Sequence, residues 1–318
     1  MRRTILSILC LLLCNMALQA QKPKVYVTRE ITPESLLRIY KALGRKAEGR
    51  VAVKISTGES EKTGYLRPDF MKPLLDEVKG TIVECNTAYG GARATSERHW
   101  ETIRKHGFTK VAPVDIMDEE DTLHIPVRDN SILKYNIVGS HMKRYDFMIN
   151  LAHYKGHQMG GFGGVLKNAS IGVASASGKA YIHTAGVTEN VKELWNHIDN
   201  QDGFVKSMAA AADAVHQYFG KGERILYISV MNKMSIDCDC NANPAAPLIA
   251  DYGIIASLDP VALDQAAYDI VTQIHNDEHN NTKPLLDRIA SLHGMLITEW
   301  GEHIGLGSRQ YELVNIDQ

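Results

Sequence analysis

Two cysteines separated by one residue stand out among the side chains that could do chemistry. Cys238 and Cys240 flank Asp239, and Cys85 follows the apolar run 81–84. We expect Cys238 and Cys240 to be thiolates, because a loop of one intervening residue opposes the torsion that a disulfide requires. Thiolates bind soft or borderline metal ions such as zinc and iron. A redox-active thiol pair and an ordinary polar loop are the alternatives.

The segment His153-Tyr-Lys-Gly-His157 concentrates side chains that ligate metals or transfer protons. Histidine nitrogen is a common partner of cysteine sulfur in zinc sites. The predicted ligands of a zinc or iron ion are Cys85, Cys238, Cys240 and His153, with His157 as the alternative to His153. Lys155 and His157 are predicted to act as catalytic acid or base beside the metal. The alternative is that both histidines are ordinary core or surface residues.

Two glycine-rich loops each carry basic side chains and are predicted to bind an anion or a cofactor. Their sequences are Tyr89-Gly-Gly-Ala-Arg93 and Met159-Gly-Gly-Phe-Gly-Gly-Val-Leu-Lys-Asn168. Glycine lets backbone N–H groups approach a ligand, and a helix N-terminus attracts an anion. The predicted binding residues are Gly90, Gly91, Arg93, Gly163, Gly164 and Asn168, and the predicted catalytic contact to an anion is Lys167. Neither loop matches a Walker or a dinucleotide-binding pattern, and tight structural turns are the alternative.

Short apolar runs of strand length alternate with helical patterns along the chain. Strands are predicted at 51–55, 81–85, 146–151, 224–231 and 253–257, and helices at 33–43, 96–106, 204–219 and 259–274. This alternation predicts an α/β fold with a mostly parallel sheet flanked by helices. Two short strands predict a small antiparallel excursion around residues 115–143. Ligands bind at the carboxyl ends of the strands in such sheets, and the cysteines follow predicted strands there.

The first twenty residues have the pattern of an export signal. Arg2 and Arg3 precede an apolar run over 5–13, and Ala20 is a small residue at the expected cleavage point. Residues 1–20 are therefore predicted to be a signal peptide, and residues 21–318 a single α/β domain in the periplasm or outside the cell. The paired arginines leave both the general and the twin-arginine export routes open. No later apolar stretch is long enough to span a membrane.

Composition narrows the class of partner. The chain has 35 Lys+Arg and 37 Asp+Glu, so it lacks the basic excess that nucleic-acid binding requires. A hydrophobic content of 44% excludes a disordered chain. The expected partner is a small-molecule or metal ligand, and nothing in the sequence indicates an oligomeric state.

Several motifs together resemble the uncharacterised family called domain of unknown function 362, over nearly the whole chain that follows the signal. The matching segments are 153–157, 164–168, 237–240 and 257–265. Within them, the residues that match are His153, Lys155, His157, Lys167, Asn168, Cys238, Cys240, Asp259, Pro260 and Asp264. Many relatives carry a ferredoxin-type insert with two four-cysteine motifs, which would imply an iron–sulfur cluster. This sequence lacks that insert, so no four-cysteine motif supports a cluster here.

Two functional hypotheses follow from these residues. The first is an exported metal-dependent enzyme, with redox chemistry as one option, that acts on a small polar or anionic substrate. The second is a non-catalytic periplasmic binding protein for a metal ion or an anionic small molecule. Both require convergent polar groups at the strand ends. Three protein ligands with an open position would favour catalysis, whereas a closed four-ligand site would favour carriage.

Overall fold

An eight-stranded mixed sheet organises the chain in the computed structural model, which describes residues 21–317. In chain order the strands are β1 (Lys24–Thr28), β2 (Val51–Lys54), β3 (Thr81–Glu84), β4 (Val114–Ile116), β5 (Thr122–Pro126), β6 (Tyr135–Gly139), β7 (Phe147–His153), β8 (Lys155–His157), β9 (Gly161–Gly163), β10 (Ile225–Met231), β11 (Gly253–Ser257) and β12 (Glu312–Asn315). The order in the large sheet is β12-β1-β11-β10-β7-β2-β3-β4. The predicted α/β fold with a mostly parallel sheet is confirmed.

Five neighbouring strands form the parallel half of the sheet. Strand β7 lies between β10 and β2, and β2 continues through β3 to β4, all in parallel pairs. Strand β11 is antiparallel to both of its neighbours, β1 and β10. The parallel half therefore brings the carboxyl ends of β2, β3, β7 and β10 to one edge, where the candidate site lies.

Helices cover both faces of the sheet. They are α1 (Pro33–Ala42), α2 (Pro68–Val78), α3 (Ser96–Lys105), α4 (Val165–Ala169), α5 (Ala176–His183), α6 (Gln201–Tyr218), α7 (Pro260–Gln273), α8 (Lys283–Ser291) and α9 (Leu296–His303). Side chains of α1, α2 and α3 pack in one apolar core, whereas those of α4, α6 and α7 pack in the other. Successive residues of β10 alternate between the two cores, which explains why the buried strands of this sheet are mostly apolar on both faces.

Local sequence signals account for the helix boundaries that were predicted. Thr32 caps α1 by accepting the backbone N–H of Ser35. Asp259 caps α7 by accepting the N–H groups of Val261 and Ala262, and Pro260 is the first helical residue. Both patterns satisfy the free N–H groups of a helix start at little conformational cost.

Two small antiparallel pairs complete the fold. Strands β5 and β6 pair within the predicted excursion around 115–143, which is confirmed. Strands β8 and β9 form a second hairpin, with Lys155 opposite Gly163 and His157 opposite Gly161. The predicted signal peptide, residues 1–20, lies outside the described residues. Within residues 21–317, no helix combines the length and apolar character needed to cross a membrane.

Candidate functional site

A cavity of about 60 Å³ lies at the carboxyl ends of β2, β3 and β7. Each of these strands ends in a polar residue that lines it: Lys54, Glu84 and His153. The other walls are formed by helices α4 and α5 and by the segments that follow the strands. Residues that are distant in sequence meet here because parallel strands present their carboxyl ends at one edge. The cavity wall contains both Cys85 and Cys240, as expected from their strand-end positions.

Basic side chains outnumber acidic ones in the wall of this cavity. The basic residues are Lys54, Arg93, Lys155, Lys167 and Lys179, and the acidic residues are Glu84 and Asp239. All seven side chains are buried except that of Lys167, which is partly exposed. Burial of a charge is costly unless an opposite charge or hydrogen bonds compensate it. The excess of basic groups therefore favours an anionic ligand.

Glu84 compensates two of the basic residues. Its carboxylate lies 3.5 Å from the Lys54 ammonium and 3.2 Å from the Arg93 guanidinium, and it accepts the backbone N–H of Thr57 at 2.9 Å. Burial alone would raise the pKa of Glu84, but the charges of Lys54 and Arg93 outweigh it and lower that pKa to about 2. Glu84 is therefore an anion at physiological pH, and Lys54 and Arg93 of the protein itself neutralise its charge.

Asp239 compensates a further basic residue of the cavity wall, Lys155. Its carboxylate lies 2.8 Å from the Lys155 ammonium and 3.1 Å from Nδ1 of His153. Burial opposes ionisation, but Lys155 and His153 outweigh it and lower the pKa of Asp239 far below its usual value. Nε2 of His153 lies 2.6 Å from the carbonyl oxygen of Asn232. Both ring nitrogens of His153 are thus engaged, and neither is free to ligate a metal ion.

Lys167 is the basic residue of the wall without a fixed partner. No hydrogen-bond or ion-pair partner of its ammonium lies among residues 21–317, and its side chain runs beside Gly163 into the cavity. Burial, reinforced by the charges of Lys155 and Arg93, lowers the pKa of Lys167 to about 7. An amine with this pKa is present in both protonation states near neutral pH, so it can both accept and donate a proton.

An internal carboxylate fixes the helix that carries Lys167. The side chain of Asp264 accepts the N–H groups of Val165 and Leu166, the first residues of α4, at 2.8 and 2.9 Å. A Cβ on Gly164 would lie 2.2 Å from Oδ1 of Asp264, so glycine is required for this approach. Sequence reasoning placed Gly163 and Gly164 around an external anion. Both glycines line the cavity, but beside Gly164 the chain's own carboxylate, that of Asp264, already accepts the backbone N–H groups of the helix start.

Asn168 lines the cavity and connects helix α4 to strands β2 and β7 through hydrogen bonds. Its Nδ2 donates to the carbonyl oxygen of Lys54 at 3.1 Å and to Oδ1 of Asn150 at 2.7 Å. Its Oδ1 accepts from the Lys54 ammonium at 3.2 Å. These contacts use both donors of the amide and one of the two lone pairs of its oxygen. Asn168 therefore orients Lys54, whereas sequence reasoning assigned it to ligand binding.

The loop with Gly90, Gly91 and Arg93 also surrounds an internal carboxylate. Glu59 accepts the backbone N–H of Ala92, and its Oε2 lies 3.1 Å from Nε of Arg93. A Cβ on Gly91 would lie 2.1 Å from Oε1 of Glu59. Sequence reasoning expected an external anion at this loop with Arg93 as its counter-ion. In the structure Glu59 lies where that anion was expected. It supplies the permanent counter-ion that the buried guanidinium of Arg93 requires.

Cys85 does not join a metal centre. Its thiol is fully buried and donates to the carbonyl oxygen of Val173, with Sγ 3.2 Å from the oxygen. Burial raises the pKa of this thiol, so Cys85 stays protonated at neutral pH. A metal ligand must be a thiolate. The predicted site with three cysteines and His153 is therefore not formed in the described structure.

Cys238 and Cys240 form a disulfide, which corrects the expectation of two thiolates. A ring nitrogen of His157 and both sulfurs lie within 4.8 Å of one another, a spacing that could hold a metal ion. The histidine of this group is His157, which the sequence left open as the alternative to His153. A disulfide sulfur carries no negative charge, so these residues fit a resident metal only after reduction.

His157 is oriented by the backbone. Its Nδ1 accepts the N–H groups of Gly160 at 2.8 Å and Met159 at 3.2 Å, so the ring proton lies on Nε2. Burial lowers the pKa of His157 well below its usual value, and the charge of Lys167 adds to the effect. The ring is therefore neutral at physiological pH. Its predicted role as a catalytic acid or base stays a prediction.

Sequence reasoning missed four charged residues of the site: Lys54, Glu84, Lys179 and Asp239. Lys54 and Glu84 each end an apolar strand, and a charged residue in that position was the signal that could have identified them. Asp239 lies between the two cysteines that were selected. Lys179 lies on α5 and donates to the carbonyl oxygen of Ala174, and no local pattern marks it.

The fold and the site together define an α/β protein with a basic cavity at the carboxyl edge of a parallel sheet. The chain belongs to the family described as Domain of unknown function (DUF362), whose model matches residues 51–269. This confirms the resemblance seen in the sequence. No curated protein matches the chain.

Among solved structures, the chain is similar to the apoprotein of lactate racemase from Thermoanaerobacterium thermosaccharolyticum. The TM-score is 0.43 at 12% identity, over 80% of this chain and 58% of that one. It is also similar to a Thermotoga maritima protein solved by the Northeast Structural Genomics Consortium, with a TM-score of 0.44 at 14% identity, over 78% of this chain and 60% of that one. The chain thus spans about three fifths of the length of these structures.

Proposed function

We propose that this protein binds a small carboxylate or phosphate anion in the basic cavity and transfers a proton to or from it through Lys167. One observation carries the proposal: Lys167 is the basic residue of the wall that has no partner among residues 21–317. Glu84 and Asp239 already pair with Lys54, Arg93 and Lys155. An anionic ligand would supply the missing partner of Lys167.

The proton-transfer step follows from the environment of Lys167. Its pKa of about 7 leaves a large fraction of neutral amine at neutral pH, which can remove an acidic proton from a bound anion. Lys155 and Arg93 are held by carboxylates and keep their positions, so they are suited to orient the bound anion. The substrate class is therefore a small anion with an acidic C–H or O–H group.

Calorimetry at low ionic strength tests the binding step. Inorganic phosphate, succinate and pyruvate are suitable probes, each titrated into the wild type and into Lys167→Met. We expect at least one probe to bind the wild type, and the variant to lose roughly tenfold in affinity, about 1.4 kcal/mol. Lys110→Met is the matched control, because Lys110 is exposed. Failure of every anion to bind, or equal binding by Lys167→Met, would contradict the proposal.

Hydrogen exchange in D₂O tests the proton transfer. The wild type is expected to exchange the C–H protons of a bound carboxylate probe faster than the buffer does, and Lys167→Met is expected to lose this activity. At probe concentrations well below saturation, the exchange rate should rise with pH through about 7, because the neutral amine of the free protein is the reactive form. If a probe binds but its C–H protons do not exchange, the protein belongs to the other class, the non-catalytic binding proteins.

A second candidate is a soft metal ion at His157, Cys238 and Cys240. The convergence of their ligand atoms within 4.8 Å favours it, and the disulfide must be reduced first. Elemental analysis of protein purified anaerobically with a dithiol tests this candidate. Zinc or iron near one equivalent in the wild type, and its loss in Cys238→Ser, would support metal dependence. A metal-free reduced protein would exclude this set of ligands.

We further propose that the protein is exported. The supporting features are Arg2, Arg3 and the apolar run over 5–13 in the sequence, together with the disulfide, which persists best in oxidising compartments. Mass spectrometry of the protein from its native source should show an N-terminus near Gln21. An intact N-terminus in the soluble cytoplasmic fraction would contradict export.

A further inference from the structure

The Cys238–Cys240 disulfide lies between the basic cavity and the buried ring of His157. Cys240 is partly exposed and lines the cavity, whereas Cys238 is 2% exposed. A ring nitrogen of His157 lies within 4.8 Å of both sulfurs. Neither anion binding nor proton transfer by Lys167 uses this disulfide, so its presence beside the cavity requires a separate explanation.

Stabilisation of the fold does not explain this disulfide. The two cysteines are separated by only two positions, and the stabilising effect of a disulfide grows with the length of the loop that it closes. Other contacts already hold the turn. The carbonyl oxygen of Asp239 accepts the backbone N–H of Glu59 at 2.8 Å, and its carboxylate pairs with Lys155. The two sulfurs therefore remain neighbours when the bond between them is broken.

The surroundings also stabilise a thiolate at this position. Nδ1 of His157 accepts two backbone N–H groups, which leaves Nε2 with the ring proton and without a hydrogen-bond partner in the described part of the chain. Lys167, whose ammonium has no partner among residues 21–317, contributes positive charge from the cavity that Cys240 lines. N–H donors and nearby cationic groups are the features that make cysteine pairs reducible and reactive.

We propose that Cys238 and Cys240 form a reversible redox centre that exchanges two electrons with dithiols. A thiolate of the dithiol attacks Sγ of Cys240, the Cys238–Cys240 bond breaks, and Cys238 leaves as a thiolate near the imidazole ring of His157. The second thiol of the dithiol then attacks its own sulfur in the mixed disulfide and releases Cys240. The dithiol is oxidised to a disulfide, both cysteines are reduced, and the two protons released by the dithiol end on Cys238 and Cys240.

This inference does not depend on the proposed anion binding, and it is tested on the full folded chain. The wild type is equilibrated with mixtures of reduced and oxidised dithiothreitol in the presence of a chelator, and free thiols are then alkylated and counted by mass spectrometry. We expect two additional alkylated cysteines in reduced protein, Cys238 and Cys240, with the near-UV circular dichroism of the folded state retained. Returning the protein to oxidised dithiothreitol should restore the disulfide completely.

Single-cysteine variants identify the sulfur that is attacked. Cys238→Ser leaves the partly exposed Cys240 thiol, and Cys240→Ser leaves the buried Cys238 thiol, both in a Cys85→Ser background that removes the third thiol. With an uncharged aromatic disulfide as reagent, the Cys240 thiol should react at least roughly tenfold faster than the Cys238 thiol, because reactivity follows exposure. His157→Gln should slow the reduction of the intact disulfide by dithiothreitol.

Several results would overturn the proposal. One is that the disulfide of the folded wild type resists reduction until the protein unfolds. Another is that its reduction abolishes the near-UV signal, which would make it a structural cross-link. The third is that both cysteines are free thiols after equilibration with oxidised dithiothreitol. The wild-type measurement decides the question even if a serine variant fails to fold.

Discussion

Replacing Lys167 by methionine should make the protein more stable while weakening its binding of anions. Lys167 has no partner among the described residues, and burial lowers its pKa from 10.5 to about 7. A shift of this size corresponds to a cost of about 4–5 kcal/mol to the folded state when the amine is protonated. Because the side chain is partly exposed, solvent screening reduces the expected gain on substitution to about 2 kcal/mol.

The pH dependence gives this prediction its specificity. Below about pH 7 the amine is charged in both the folded and the unfolded states, so the full cost of burying the charge is present. Between about 7 and 10.5 the folded state is neutral while the unfolded state still binds the proton, and the cost declines as the pH rises. The stabilisation by Lys167→Met should therefore be largest near about pH 6 and small near about pH 10.

Urea denaturation of the wild type and Lys167→Met at both pH values measures this difference. Lys110→Met is the control, because an exposed lysine should change the free energy of unfolding by less than about 0.5 kcal/mol at either pH. A variant that is less stable than the wild type at low pH would refute the reasoning, since it would mean that the ammonium has a partner. A difference that does not change with pH would also refute it.

Three further predictions follow from the surrounding contacts. Glu84→Gln should lower the free energy of unfolding by about 3–5 kcal/mol at neutral pH, because two buried basic groups lose their counter-ion. This loss of stability should shrink as the pH falls from about 4.5 to about 2, because wild-type Glu84 becomes protonated in that range. Gly164→Ala should cost about 1–3 kcal/mol by displacing Asp264, whereas Gly163→Ala, whose Cβ has ordinary contacts, should be tolerated. Cys85→Ser should leave the metal content of the protein unchanged by elemental analysis, because the thiol is protonated and donates to a carbonyl oxygen.

Four of the five strands of the parallel half, β2, β3, β7 and β10, were predictable because they are buried on both faces. Runs such as Val51–Lys54 and Ile225–Met231 are mostly apolar and show no alternation, and turns or helix caps bound them. The capping residues Thr32 and Asp259 act on neighbours within three residues, so local sequence was sufficient to identify them. The placement of chemistry at the carboxyl edge then followed from the parallel arrangement.

Strands β1 and β12, at one end of the large sheet, were missed because their pairing is not local. Strand β1 (Lys24–Thr28) lies between β11 and β12, and both partners are more than 200 residues away in sequence. The hairpin of β8 and β9 was also missed, since each of its three residue pairs contains a glycine, which removes the usual strand signal.

The partners within the site could not be predicted for a related reason. Glu59 and Asp264 lie where the glycine loops were expected to hold an external anion, and they reach those loops from 33 and 99 residues away. No local pattern shows that a carboxylate of the chain itself satisfies a loop. The lack of a partner for Lys167 became visible only when the contacts of every neighbouring charge were known.

The most direct test of the central claim is the pKa of Lys167, measured by NMR of protein with ¹³C-labelled lysine side chains. One lysine should titrate near pH 7, and its signal should be absent from Lys167→Met. Addition of the anion that binds in calorimetry should raise that pKa, because the ligand stabilises the ammonium form. A spectrum in which every lysine titrates above about pH 9, or a low pKa that the bound anion leaves unchanged, would contradict the account.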